Sequence, residues 1–174
     1  MSTSRKNIVI TGMRGSGKTA IGQMIAKKLR RDFIDLDVYI ERTVNKKIIK
    51  IVEEKGWNHF RELEEQAVDN LSKTKNAVIS TGGGTFINPA NAKKLKKNGL
   101  VLLLTADLKT LEKRINFSRK RPPLTSQKSL KKELEQIWKE RKKTYLKNAD
   151  FVYDNSSDKD PEEKAEEILE MLPV

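Results

Sequence analysis

The chain has 174 residues, enough to bury one core without staples, and its lack of cysteine excludes disulfide scaffolds, thiolate zinc sites and cysteine nucleophiles. A formal charge of +12 admits nucleic acid, an acidic membrane surface or small anions as partners. The lysine runs at 27–31, 93–97 and 141–143 read as solvated helix faces, however, and 6% aromatic residues with no basic stacking motif argue against a nucleic-acid binder.

The first apolar run, "NIVIT" (7–11), predicts a strand, and Ile21, Met24, Ile25 and Leu29 recur at helical spacing soon after it. Between them "GMRGSGKT", Gly12 to Thr19, fits the phosphate-loop pattern G-x-x-x-x-G-K-[ST] in full. Gly12, Gly15 and Gly17 let backbone N–H groups turn inward around a polyphosphate, and the helix N-terminus adds partial positive charge. Lys18 reaches the β- and γ-phosphates and Thr19 offers a hydroxyl to Mg²⁺. The pattern implies a nucleoside triphosphate without naming an acceptor. With no N-K-x-D guanine signature and a chain too short for most motors, it favours a small-molecule kinase.

A second strand is predicted at "DFIDL" (32–36), with Asp35 and Asp37 on a common side if the strand extends that far. One carboxylate would then serve the metal shell and the other an acceptor hydroxyl; the plain alternative makes Asp37 a helix N-cap. "FRELEEQAVDNLS" sets Phe60, Leu63, Ala67 and Leu71 on one helical stripe. Arg61 falls in the first turn of that helix, an unfavourable end for a cation, unless an Arg61–Glu65 pair accounts for it. The run "NAVIST" (76–81) predicts a third strand, directly followed by Gly82, Gly83 and Gly84. Either a turn there needs positive φ, or something other than protein lies against bare backbone. Further strands are predicted at "LVLLLT" (100–105) and "FVYD" (151–154). A helix carrying Leu130, Leu134, Ile137, Trp138 and Tyr145 lies between them, and another starts near Pro161. The basic, proline-broken segment 116–128 reads as a surface loop or as a mobile cover over a bound anion.

Alternation of strand and helix predicts an α/β three-layer fold around a mostly parallel sheet, with ligands at the carboxyl ends of the strands. No linker, repeat or long low-complexity segment appears, so one domain over 1–174 is expected. With no membrane span or signal-like run in the sequence, a cytoplasmic protein is expected.

"GMRGSGKTAIG", "DLDVYIE", "FRELE", "STGGG", "RKRPPL" and the Arg141-to-Tyr145 spacing stand in the same order and at about the same intervals as in shikimate kinases. The resemblance covers practically the whole chain, and the carboxylate, arginine and glycine motifs are far more restrictive than the phosphate loop alone. It implies a P-loop kinase fold with a five-stranded parallel sheet and a lid at about 116–128, and transfer of the ATP γ-phosphoryl group to the 3-hydroxyl of shikimate. By motif, Asp37 would bind and act on that hydroxyl, Arg61 and Arg141 would clamp the carboxylate, and Gly82 and Gly83 would present N–H groups. Gly15, Ser16, Gly17, Lys18, Thr19 and Ala20 would hold the phosphates. Thr19 would ligate Mg²⁺ directly, with Asp35 and Ser80 acting through water. Arg121 resembles the lid arginine that reaches the phosphates, and Arg114 the adenine-stacking arginine. The resemblance also implies a monomer with a small-molecule partner, independent of nucleic acid and membrane.

The chain departs from the family at Ala20, Gln23 and Trp57, and no arginine stands at 155–158, where the adenine pocket is expected. His59, the only histidine, reads as a surface residue at a helix start, and Trp138 and Tyr145 as packing. Rival readings are a kinase for another polyol acid such as gluconate, a non-catalytic relative that kept the fold, or binding of nucleic acid through the basic surface. Intact Lys18, Asp37 and Arg121 weigh against the non-catalytic relative.

Overall fold

The computed structural model describes residues 6–118, 125–126 and 129–174. Five parallel strands, β1 (Asn7–Thr11), β2 (Asp32–Asp35), β3 (Ala77–Ser80), β4 (Gly99–Thr105) and β5 (Phe151–Asp154), form one sheet in the order β2-β3-β1-β4-β5. Seven α-helices accompany them among the described residues: α1 (Lys18–Leu29), α2 (Leu36–Val44), α3 (Ile48–Leu71), α4 (Pro89–Lys97), α5 (Leu108–Ser118), α6 (Leu130–Asn148) and α7 (Pro161–Met171).

The apolar run of β1 is buried from end to end because helices cover both faces of the sheet. Ile8 and Ile10 meet Leu102 and Leu104 of β4, together with Ile21 and Ile25 of α1 and Ile168 of α7. Val9 and Val101 point the other way, into a cluster with Phe60 and Val68 of α3. Leu103 joins Leu111 of α5 and Leu134, Ile137 and Tyr145 of α6. Each fully buried aliphatic side chain of this kind contributes about 1.5–3 kcal/mol. The expected three layers are therefore present, and the strand ends that face the phosphate loop lie between well-packed walls.

Three local expectations are corrected. Strand β2 ends at Asp35, so Asp37 is not a strand residue but lies in the first turn of α2. The N-cap is Asp35, whose Oδ1 accepts from the N–H groups of Asp37 (3.0 Å) and Val38 (3.2 Å). Satisfying those two N–H groups starts a helix sooner than the strand pattern suggested. Arg61 lies just past a first helical turn: α3 is two helical pieces joined at a kink, Gly56 with φ 78° and ψ 172°, and Arg61 is the fifth residue after it. Finally, 116–118 complete α5 and do not open a loop. The remainder of the expected lid, including Arg121, lies outside the described residues apart from 125 and 126.

Candidate active site

The phosphate loop joins β1 to α1, and all three of its expected glycines have positive φ: 145° at Gly12, 81° at Gly15 and 94° at Gly17. A Cβ at Gly12 would sit 2.2 Å from the Leu104 carbonyl oxygen, which only backbone movement could relieve. Gly17 is also the N-cap of α1 and supplies no side-chain acceptor, leaving the first-turn N–H groups of that helix without a side-chain cap. A helix start of this kind is a ready anion site. The Lys18 ammonium arches back over the loop, donating to the carbonyls of Gly12 (3.0 Å) and Met13 (2.9 Å). Ser16 Oγ is buried without a hydrogen-bond partner. The donor set therefore suits a polyphosphate.

Beside the loop, Thr19 Oγ1 donates to Asp35 Oδ2 at 2.9 Å. Asp35 is the register partner of Ser80 on β3, so the three proposed metal-shell residues meet at the strand ends. Among the described residues no three acidic or histidine side chains form a metal cage. Hydroxyl and carboxylate oxygens here fit a magnesium ion that keeps its waters and takes its remaining ligands from nucleotide phosphates.

On the far side of the loop, Arg114 of α5 donates to the carbonyls of Asn155 (2.8 Å) and Gly15 (3.3 Å). Asn155 is itself buried and donates from Nδ2 to Ser16 O at 2.8 Å. The 155–158 segment thus abuts the phosphate loop through an asparagine. Lys164 adds a further tie, donating to Ser157 O at 2.6 Å.

The cleft next to the loop is lined by all five residues expected to hold the acceptor: Asp37, Arg61, Gly82, Gly83 and Arg141. Of the two explanations for the triple glycine, the positive-φ turn is excluded, because none of the three has positive φ. What stands close to the bare backbone is protein, nearest of all the Arg61 guanidinium. A Cβ at Gly84 would lie 2.5 Å from Arg61 Nη2, and one at Gly82 would lie 3.1 Å from Glu64 Oε1 and 3.4 Å from Asp37 Oδ1. A Cβ at Gly83 would stand 3.6 Å from Arg141 Nη1. The bare backbone makes room above all for the Arg61 guanidinium, with the Arg141 guanidinium and the Asp37 carboxylate at ordinary contact distance from the same loop.

Arg61 pairs with Glu64 at 2.7 Å, not with Glu65, which lies near Lys94 instead. Glu64 is only 1% exposed and also accepts from Thr85 Oγ1 at 2.7 Å. Trp57 and Phe60 place their rings 5.6 and 5.3 Å from the Arg61 guanidinium, so the guanidinium is held by an anion and flanked by aromatic rings. Tyr145 does pack in the core, but its hydroxyl also donates to Gly83 O at 2.5 Å. Burial pushes its pKa up, against the pull of Arg141 and Arg61, so the donor proton is retained. His59 is partly exposed beside Glu62, as a surface residue would be.

The shikimate kinase family profile matches residues 14–173. The chain belongs to the shikimate kinase family. The shikimate kinase of Caldanaerobacter subterraneus subsp. tengcongensis is 40% identical over 164 residues, covering 94% of each chain. That of Persephonella marina is 38% identical over 164 residues, or 94% of this chain and 97% of the relative. Among solved structures, shikimate kinase from Acinetobacter baumannii in complex with shikimate superimposes with a TM-score of 0.89 at 29% identity, over 95% of this chain and 92% of that one. The Aquifex aeolicus shikimate kinase gives a TM-score of 0.79 at 32% identity over 94% of each chain. This shikimate kinase fold accounts for the five-stranded parallel sheet and the position of the cleft at its carboxyl edge.

Proposed function

We propose that the protein transfers the γ-phosphoryl group of ATP to the 3-hydroxyl of shikimate, giving shikimate 3-phosphate and ADP. The observation that carries this reading is the cleft in which Asp37, Arg61, Arg141 and the Gly82–Gly83 backbone converge beside the phosphate loop. Membership of the family and the similarity to a shikimate-bound relative support it.

In this reading Arg61 and Arg141 grip the acid's carboxylate with forked N–H donors, which suit a planar anion better than a lysine would. Glu64 and Tyr145 hold that end of the site in register. Asp37, in the first turn of α2, orients the acceptor hydroxyl and takes its proton as the oxygen attacks the γ-phosphorus. The bond from that phosphorus to the β,γ-bridging oxygen breaks, and ADP leaves with the electron pair. Residues 15–20 cradle the phosphates, Lys18 tracks the γ-phosphoryl charge, and Arg114 flanks the adenine. A bound Mg²⁺ would offset phosphate charge; Thr19 would hold it directly, with Asp35 and Ser80 through water. Arg121 keeps its sequence-based assignment as a phosphate contact. Among the described residues no helix is long and apolar enough to cross a membrane, and a monomer working in the cytoplasm fits the proposed chemistry.

An ADP-release assay across shikimate, quinate, gluconate and nucleoside monophosphates tests the reading. Shikimate is expected to support turnover with a kcat/KM at least tenfold above any other acceptor. Preferential turnover of gluconate or a nucleoside monophosphate would overturn the substrate assignment.

A further inference from the structure

The cleft holds two charged residues that the scheme above does not use: Arg14 of the phosphate loop and Glu133 in the first turn of α6. Glu133 is 6% exposed, although acidic residues are rarely buried without a compensating charge. Arg14 is half-buried; burial pulls its pKa down and the charge of Glu133 opposes that pull. A Cβ on Gly83 would lie 3.6 Å from Arg14 N and 3.6 Å from Arg141 Nη1, so Arg14 stands where the phosphate loop meets the acceptor wall.

Charge balance suggests what this position is for. The cleft is lined by three arginines, Arg14, Arg61 and Arg141, and by three carboxylates, Asp37, Glu64 and Glu133. An acceptor carboxylate and then a phosphoryl group tip it strongly negative. Arg61 is already paired with Glu64 and, with Arg141, assigned to the acceptor carboxylate, while Lys18 is anchored on the donor side. Arg14 is, among the described residues, a further arginine of the cleft, carried on the phosphate loop itself.

We propose that Arg14 grips the phosphoryl group once it sits on the acceptor, and that Glu133 competes for the same guanidinium and so limits how tightly the phosphorylated product is held. The inference rests on the acceptor reading of the cleft. A guanidinium exchanges one oxyanion for another with little change in geometry, because carboxylate and phosphate both accept its parallel N–H bonds.

Dissociation constants for shikimate and for shikimate 3-phosphate, measured by calorimetry on the intact protein, test it. Arg14→Met is expected to weaken shikimate 3-phosphate about tenfold, the scale of a lost charge-assisted hydrogen bond, while shikimate changes less than about twofold. Arg14→Lys should recover part of the loss, and Glu133→Gln should tighten shikimate 3-phosphate relative to shikimate. A merely structural role would weaken both ligands together, and that result, or no change in either, overturns the inference while leaving the acceptor reading intact. A Glu133→Gln ratio that is unchanged or weaker overturns the competition. Failure of the wild-type protein to bind shikimate would overturn the acceptor reading and this inference with it.

Discussion

Asp37→Asn is expected to lower kcat by about 10²–10⁴-fold, the range for removing a positioned general base. The substitution keeps the size of the side chain and its place in the first turn of α2, and the N-cap that starts the helix is Asp35. What it removes is the negative charge that lies over Gly82, with Oδ1 3.4 Å from the position a Cβ would take there. Because Arg61 and Arg141 approach the same loop from other elements, shikimate should still bind, with a loss well below the loss in kcat. Steady-state ADP release combined with calorimetric shikimate binding separates the two effects. A variant with kcat within about threefold of wild type would remove Asp37 from the chemistry.

Lys18→Met is the second large effect, with an expected drop in kcat of about 10²–10³-fold, comparable to losing one preorganised donor to the transition state. The Lys18 ammonium donates to Gly12 O and Met13 O, which holds the charge over the phosphate loop before nucleotide arrives. Methionine retains the stem without the charge, so the loop keeps its glycine-determined course while the positive charge held over it is lost. The KM for ATP should rise, whereas shikimate binding, assigned to residues of α2, α3, α6 and the glycine loop, should change little. Parallel loss of shikimate affinity would mean that the variant has disturbed the fold, and unchanged turnover would contradict the role given to Lys18.

Much of this was legible because the strongest signals are local. The phosphate loop needs its glycines where φ is positive, and continuous apolar runs such as "LVLLLT" mark strands buried on both faces. What escaped was set by contacts between distant segments. Asp35 and Asp37 look alike in sequence, and only the N-cap geometry separates helix starter from cleft carboxylate. Gly84 is short of room and not in need of an unusual φ, which depends on Arg61 arriving from α3. Glu64 and Glu133 did leave a trace: each is an acid on the buried stripe of its helix, Glu64 with Phe60, Ala67 and Leu71, Glu133 with Leu130, Leu134 and Ile137. An anion on an apolar stripe calls for a compensating partner, which for Glu64 is the Arg61 guanidinium.

The central claim is spatial: a nucleotide on the phosphate loop and a hydroxylated acid on the glycine loop meet in one cleft. A crystal structure of the protein with ADP and shikimate bound tests it most directly. The account predicts the shikimate carboxylate between Arg61 and Arg141, with its 3-hydroxyl within hydrogen-bonding distance of Asp37. Shikimate lodged outside this cleft, or either arginine turned away into solvent, would contradict it.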